Sequence, residues 1–500
     1  MGLGFPRGRF AANPAWQWPA ALAIFSVCFW VAATGVVNPT QYADSIEQFN
    51  WAHGLELGYW KHPPLTTWLM RAAIALAGPS DFVSYVLAAV CYSGTAYFTW
   101  KIASMLMPAR AAALAVLLLS LHHGFSWRAQ IYNHNAVLVL MASAFVWATM
   151  RAVRSGRRFD WLAAGALAGL AMLAKYQAVI PIVCVLLGLW HSGVLRQQAA
   201  RRNLALASAL GALVFLPHAV WALQHGIPTL RYLQHSAPPI GPGSRELAWL
   251  NFFANQVSLN FSMLLAAAVL ALWCGKPAAH ASETGPLPIG SWLFALVLMP
   301  VVVVSAVILL GGITPQKYWG LQTLQFFPLL LASRLQRGCR EVPLGKAAGL
   351  CIAISAAGAA YYVAESTDAQ AVSKLHSMDR VWPAKELAAA ALADWQAATD
   401  CPLKYVVGPS FPAGLVSVYS GLYPAVLEAG DQNKSPWIDA ADLQEAGALI
   451  VSGPLPIDQP LASDMHSFAV PAKPSEGGRA QVQWAILAPH AANCAPTGGP

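Results

Sequence analysis

The sequence predicts a polytopic α-helical membrane protein with a small α/β domain at its C-terminal end. Three observations lead there. Of the 500 residues, 57% are hydrophobic and 10% charged, and the mean hydropathy is +0.49; soluble domains hold roughly 45–50% apolar and about 25% charged residues. Long apolar runs recur up to residue 365 and stop there. The charge changes sign at the same place: residues 1–365 carry 23 Lys+Arg against 9 Asp+Glu, and residues 366–500 carry 7 against 13. Two compartments are implied.

The apolar runs lie at 16–37, 82–105, 111–121, 135–150, 161–174, 178–190, 204–223, 259–274, 292–310, 321–335 and 347–364, which predicts about eleven transmembrane helices. Several fall short of the ~20 residues that a perpendicular helix needs, so flanking residues must complete them. The first run is longer than the apolar core of a signal peptide and lacks a persuasive A-x-A cleavage site, so it is read as a retained anchor. With Arg7 and Arg9 in the cytoplasm and one crossing per run, Lys101, Arg110, Arg151, Arg154, Arg157, Arg158, Arg196, Arg201, Arg202, Lys276, Arg334, Arg337, Arg340 and Lys346 all fall inside. About sixteen cations of the membrane part are then internal and about seven external, a clear positive-inside bias. The basic total needs no nucleic acid to explain it.

Beyond the last run the chain is external. Pro, Asp and Gly punctuate short β-like runs at 404–407 (KYVV) and 448–451 (ALIV), and 385–398 (KELAAAALADWQAA) is rich in helix formers. Residues 366–500 therefore read as an α/β domain with a Pro/Gly tail at 495–500. Cys401 and Cys494 belong to it, and the sequence fits a disulfide or two free thiols equally well. The other cysteines sit mostly in apolar runs, and no CxxC or HExxH occurs, so neither a disulfide scaffold nor a zinc protein is indicated.

Chemistry concentrates on the external face. The first external loop, 38–64, holds Asp44, Glu47, Glu56, Lys61 and His62 among the aromatics Phe49, Trp51, Tyr59 and Trp60. Asp44 and Glu47 are three apart and share one face if ADSIEQFNWAHGL is helical. A solvated interfacial helix with aromatic anchors explains such a loop. So does a site in which a carboxylate takes a proton from an acceptor hydroxyl while cations neutralise a leaving phosphate. Further external turns carry Arg128, Tyr132, Asn133 and Asn135, then Lys175 and Tyr176, then Lys317, Tyr318 and Trp319. Cations gathered on the face where orientation disfavours them point to an anionic ligand.

The first loop, ADSIEQFNWAHGLELGYWKHPPLTTWL, resembles the acidic first loop of bacterial GT-C membrane glycosyltransferases, the family of the protein O-mannosyltransferases and the lipid A aminoarabinose transferase. GLAMLAKYQAVI resembles the family's Gly-Leu to Lys-Tyr segment, and YVVGPSFPAGLVSVYSGLYPAVL with SPWID resembles the external domain of one bacterial subgroup. The resemblance implies an inverting transferase that moves a monosaccharide from a polyprenyl-phosphate carrier to an acceptor on the periplasmic face; no cofactor is expected, and the chain is expected to be a monomer. Lipid A, another envelope glycolipid, a polysaccharide or a protein would be the acceptor, with lipid preferred. On this reading Asp44 is the catalytic aspartate, the base or the group that orients the acceptor, and Glu47 a second acid. Lys61, His62, Arg128, Lys175 and Lys317 hold the donor phosphate, and Tyr59, Asn133, Asn135, Tyr176 and Trp319 complete the substrate-binding set. Asn133 and Asn135 stand where many relatives have an acidic residue, which puts a two-carboxylate or metal-assisted mechanism in doubt and throws more of the work on Asp44. A transporter or flippase of anionic lipids is the alternative, but matching inverted repeats with Gly/Pro-broken helices are not evident. A ligase or polymerase of lipid-linked oligosaccharides is disfavoured by the first loop.

Overall fold

The computed structural model of the chain describes residues 18–237, 239–273, 287–338, 343–367, 379–457, 459, 464–472 and 478–490. Arg7, Arg9, Lys276, Arg340, Cys494 and the 495–500 tail lie outside the described residues.

Among the described residues, every apolar run falls mainly on helix. In chain order the membrane part holds α1 (Trp18–Val37), α2 (Ala43–Trp51), α3 (Leu65–Ala77), α4 (Asp81–Leu106), α5 (Ala109–Leu119) and α6 (His134–Ser155). It continues with α7 (Arg158–Ala174), α8 (Val179–His191), α9 (Gln198–Gln224), α10 (Pro228–Ser236), α11 (Arg245–Leu259) and α12 (Phe261–Trp273). It closes with α13 (Ile289–Leu309), which contains a π-helical turn at Phe294–Leu298, then α14 (Phe327–Gly338) and α15 (Leu344–Thr367).

Among the described residues, six helices are long and apolar enough to cross a membrane unaided, namely α1, α4, α6, α9, α13 and α15. A seventh arises if α11 and α12, bent by 66° at their junction, count as one span. The sequence marked about eleven runs because composition registers apolarity and not reach. The 11 residues of α5 rise only ~17 Å and the 17 of α7 ~25 Å. All of Ala111 to Leu119 in α5 is buried, enclosed by α1, α4, α14 and α15. A helix apolar all round is satisfied by protein on every side.

The C-terminal domain is a mixed five-stranded sheet, β1 (Tyr405–Gly408), β2 (Ala425–Glu428), β3 (Ala448–Pro456), β4 (His466–Pro471) and β5 (Arg479–Leu487), in the order β2-β1-β3-β5-β4. β1 pairs in parallel with β2 and β3, while β5 runs antiparallel to β3 and β4. Helices α16 (Ala384–Ala398), α17 (Ser410–Tyr419) and α18 (Ala440–Ala446) accompany it. Trp395, Val406, Leu449, Val482 and Trp484 are buried there. Cys401 is disulfide-bonded. This core is continuous with that of the membrane part, and α2 packs on α17.

Candidate active site

The first-loop segment 43–51 is helical, the condition under which Asp44 and Glu47 share a face, but it is not a solvated interfacial helix. Ser45 through Trp51 are all buried, and Asp44 in the first turn is exposed. A carboxylate there is favoured by the helix dipole. Asp44 Oδ2 accepts a hydrogen bond from Asn133 Nδ2 at 2.8 Å, and Asn133 Oδ1 accepts the backbone N–H groups of Asn135 at 2.9 Å and Ala136 at 3.1 Å. Asn133 is thus the N-cap of α6, and its amide is fixed at both ends.

Asp44 opens onto a cavity of about 750 Å³ whose wall also carries Tyr42, Arg128, Lys317, Tyr318, Tyr362, Glu365 and Arg380. The Arg128 guanidinium lies 3.6 Å from the Tyr318 ring centroid and 6.0 Å from that of Tyr42. Arg380 is ion-paired, 3.3 Å from Glu365 Oε2, and donates to Ser366 Oγ at 2.8 Å. Arg128 and Lys317 form no ion pair among the described residues. The cavity therefore presents two uncompensated cations and one exposed carboxylate, a charge distribution suited to an anionic ligand with a neutral reacting group beside it.

A second cluster lies behind α2. Lys61 is ion-paired with Glu47 and stands 4.6 Å from the Trp60 ring centroid. Burial pushes the Glu47 carboxyl up to about 7 against the pull of Lys61. Burial opposes charge on Lys61 too, but the carboxylates of Glu47 and Glu428 outweigh it and raise its pKa above the usual lysine range. His62 packs 4.0 Å from His134, centroid to centroid, and burial with His134, Lys175 and Lys61 nearby holds its pKa well below the usual imidazole value. Lys175, pulled down to about 8 by burial with Asp44 opposing, donates to Asn135 Oδ1 at 2.8 Å and lies 5.2 Å from the Trp319 ring. Tyr59 stacks on Trp51 at 5.1 Å, and Tyr176 Oη is 2.6 Å from His218 Nε2.

Residues 61–221 match the family model described as dolichyl-phosphate-mannose-protein mannosyltransferase. The chain is 25% identical over 43% of its length to the lipid A galacturonosyltransferase RgtD of Rhizobium johnstonii, covering 45% of that protein. To the lipopolysaccharide core galacturonosyltransferase RgtB of the same organism it is 25% identical over 64% of its length, covering 65% of the relative. It thus spans less than two thirds of each. Its fold matches ArnT from Cupriavidus metallidurans bound to undecaprenyl phosphate with a TM-score of 0.62 at 13% identity, covering 97% of this chain and 99% of the other. The apo form of ArnT matches with a TM-score of 0.54 at 15% identity, covering 94% and 98%. The chain shares the fold of ArnT.

In this ArnT-like fold the residues singled out in the sequence divide between two places. Asp44, Arg128 and Lys317 line the cavity; Glu47, Tyr59, Lys61, His62, Asn135, Lys175, Tyr176 and Trp319 do not. Asn133 reaches it through Asp44. Tyr42, Tyr362, Glu365 and Arg380 were missed. Tyr42 lies two residues before Asp44 and gave a positional hint, whereas Arg380 comes from the domain after the spans and has no motif around it. Among the described residues no group of three or more His, Cys, Asp or Glu side chains is placed to hold a metal ion.

Proposed function

We propose that this protein is a GT-C transferase, moving a monosaccharide from a polyprenyl-phosphate carrier to a hydroxyl of an envelope glycolipid of the lipid A or core type, on the periplasmic face of the bacterial inner membrane. The observation that carries this reading is the exposed Asp44 carboxylate on one cavity with the uncompensated Arg128 and Lys317. The two cations hold the donor phosphate and take up charge as it leaves. The acceptor oxygen attacks the anomeric carbon, the bond from that carbon to the phosphate oxygen breaks with its electron pair, and Asp44 receives the hydroxyl proton. One displacement inverts the anomeric centre. Asn133 keeps the Asp44 carboxylate turned toward the acceptor. The relatives' names and the basic bias of the internal loops support the acceptor class and the orientation. We assign it no resident metal and read it as a monomer.

The test is turnover by the full chain in lipid nanodiscs, offered a panel of polyprenyl-phosphate monosaccharides and lipid A, with released polyprenyl phosphate read by mass spectrometry. Release that needs Asp44 and survives a chelator is expected. Absence of release from every donor, with anionic lipid crossing liposomes that contain the protein, replaces this reading by transport.

A further inference from the structure

The first loop is gripped by the C-terminal domain at both ends of α2 and along its buried face. Glu428, at the end of β2 and 5% exposed, accepts Trp51 Nε1 at 3.2 Å and Trp60 Nε1 at 3.1 Å through the same carboxylate oxygen. Trp51 ends α2, and Trp60 precedes the Lys61 that pairs with Glu47. Tyr423 donates its hydroxyl to the Phe49 carbonyl at 2.6 Å and stacks on His53 at 4.1 Å. Asn50 donates to the Ser410 carbonyl at 2.8 Å. Before the helix, the Gln41 N–H donates to the Tyr419 hydroxyl at 3.1 Å, and that hydroxyl donates to Asp81 at 2.6 Å.

Two glycines mark how close the approach is. A methyl group at Gly414 would collide with Ile46 and Asn50 of α2, and one at Gly54 would collide with the Trp437 ring. The membrane part holds the same helix through Asn133 to Asp44, Ser45 to the Tyr132 carbonyl at 3.1 Å, and Thr67 to Gln48 at 2.8 Å. Nine residues make too short a helix to persist on propensity alone. A buried carboxylate with two indole donors and a nearby ammonium is a costly arrangement unless every partner is in place. Among the described residues, both of its hydrogen-bond donors belong to the first loop.

We propose that the C-terminal domain is a positioning element of the transfer site, with Glu428, Tyr423 and the Gly414 face of α17 fixing α2 and so the place of Asp44. The role given to Asp44 rests on the transfer reading above; the clamp itself does not. A displaced α2 leaves Arg128 and Lys317 where they are, so donor affinity survives while the acceptor-side carboxylate is lost from its station. A misplacement of an ångström costs up to about a hundredfold in rate.

The experiment compares Glu428→Ala, Glu428→Gln, Tyr423→Phe and Gly414→Ala in full-length protein in nanodiscs. Hydrogen exchange of residues 43–51 is read beside kcat and donor KM. Glu428→Ala and Gly414→Ala are expected to raise exchange across 43–51 and lower kcat about tenfold with KM within about twofold. Glu428→Gln, whose amide oxygen still accepts both indoles, restores most of the rate. Tyr423→Phe loses one hydroxyl and covers the case in which Glu428→Ala fails to fold. Exchange and kcat unchanged in Tyr423→Phe and Gly414→Ala overturn the clamp. Raised exchange in a protein that turns over no donor supports the clamp and overturns the transfer reading.

Discussion

Asn133 Nδ2 stands 2.8 Å from Asp44 Oδ2 and donates to it, while the other end of the same amide caps α6. One side chain thereby ties the first-loop carboxylate to the start of a span. Asn133→Asp exchanges that donor for a second carboxylate and sets like charges side by side. The acid limb of the pH–rate profile is expected to move up by about one unit or more, because each carboxylate opposes ionisation of the other. A profile that superimposes on wild type refutes the contact in solution.

Asp44→Asn keeps the shape and removes the base. It is expected to lower kcat by about 10²–10⁴, the range typical of a lost general base, with donor KM within about twofold. Turnover close to wild type removes Asp44 from the mechanism.

The cations should separate into two classes. Arg128→Ala and Lys317→Ala take charge from the cavity and are expected to raise donor KM with little effect on thermal stability. Lys61→Met leaves Glu47 buried without its partner, which costs about 3 kcal/mol, and should appear as a fall in melting temperature. Glu47→Leu added to Lys61→Met is expected to recover much of that loss. A normal melting temperature with a raised donor KM in Lys61→Met would return Lys61 to the phosphate site.

His53, wedged against Tyr423, is held down to about 4 by burial and then by the Arg71 charge. The unfolded chain binds its proton near 6.5 and the native chain only near 4, so between those values the unfolded state carries more protons. Stability is therefore complete above about pH 6.5 and falls as the pH drops toward 4, by up to about 3 kcal/mol. His53→Gln should flatten that slope in melting curves recorded from pH 7 to 4. An unchanged slope places the acid-sensitive group elsewhere.

Apolar runs, the sign of their flanking charges and the composition change near residue 365 determined by themselves that this is a helical membrane protein with an appended α/β domain. These are properties of local stretches, and the hydrophobic effect acts on them wherever they lie. The resemblance of the acidic, aromatic first loop to that of a known family singled out Asp44, since a motif is likewise a property of a local stretch. Tertiary structure alone decided which charges stay free. Lys61 and Lys317 look alike in sequence, yet Lys61 meets Glu47 fourteen residues away and is neutralised, while Lys317 faces the cavity. It also brought in Arg380 and Glu428 from beyond the spans, across sequence separations at which no periodicity survives. Coulomb energy depends on distance and dielectric in three dimensions, and the order of residues along the chain does not specify either.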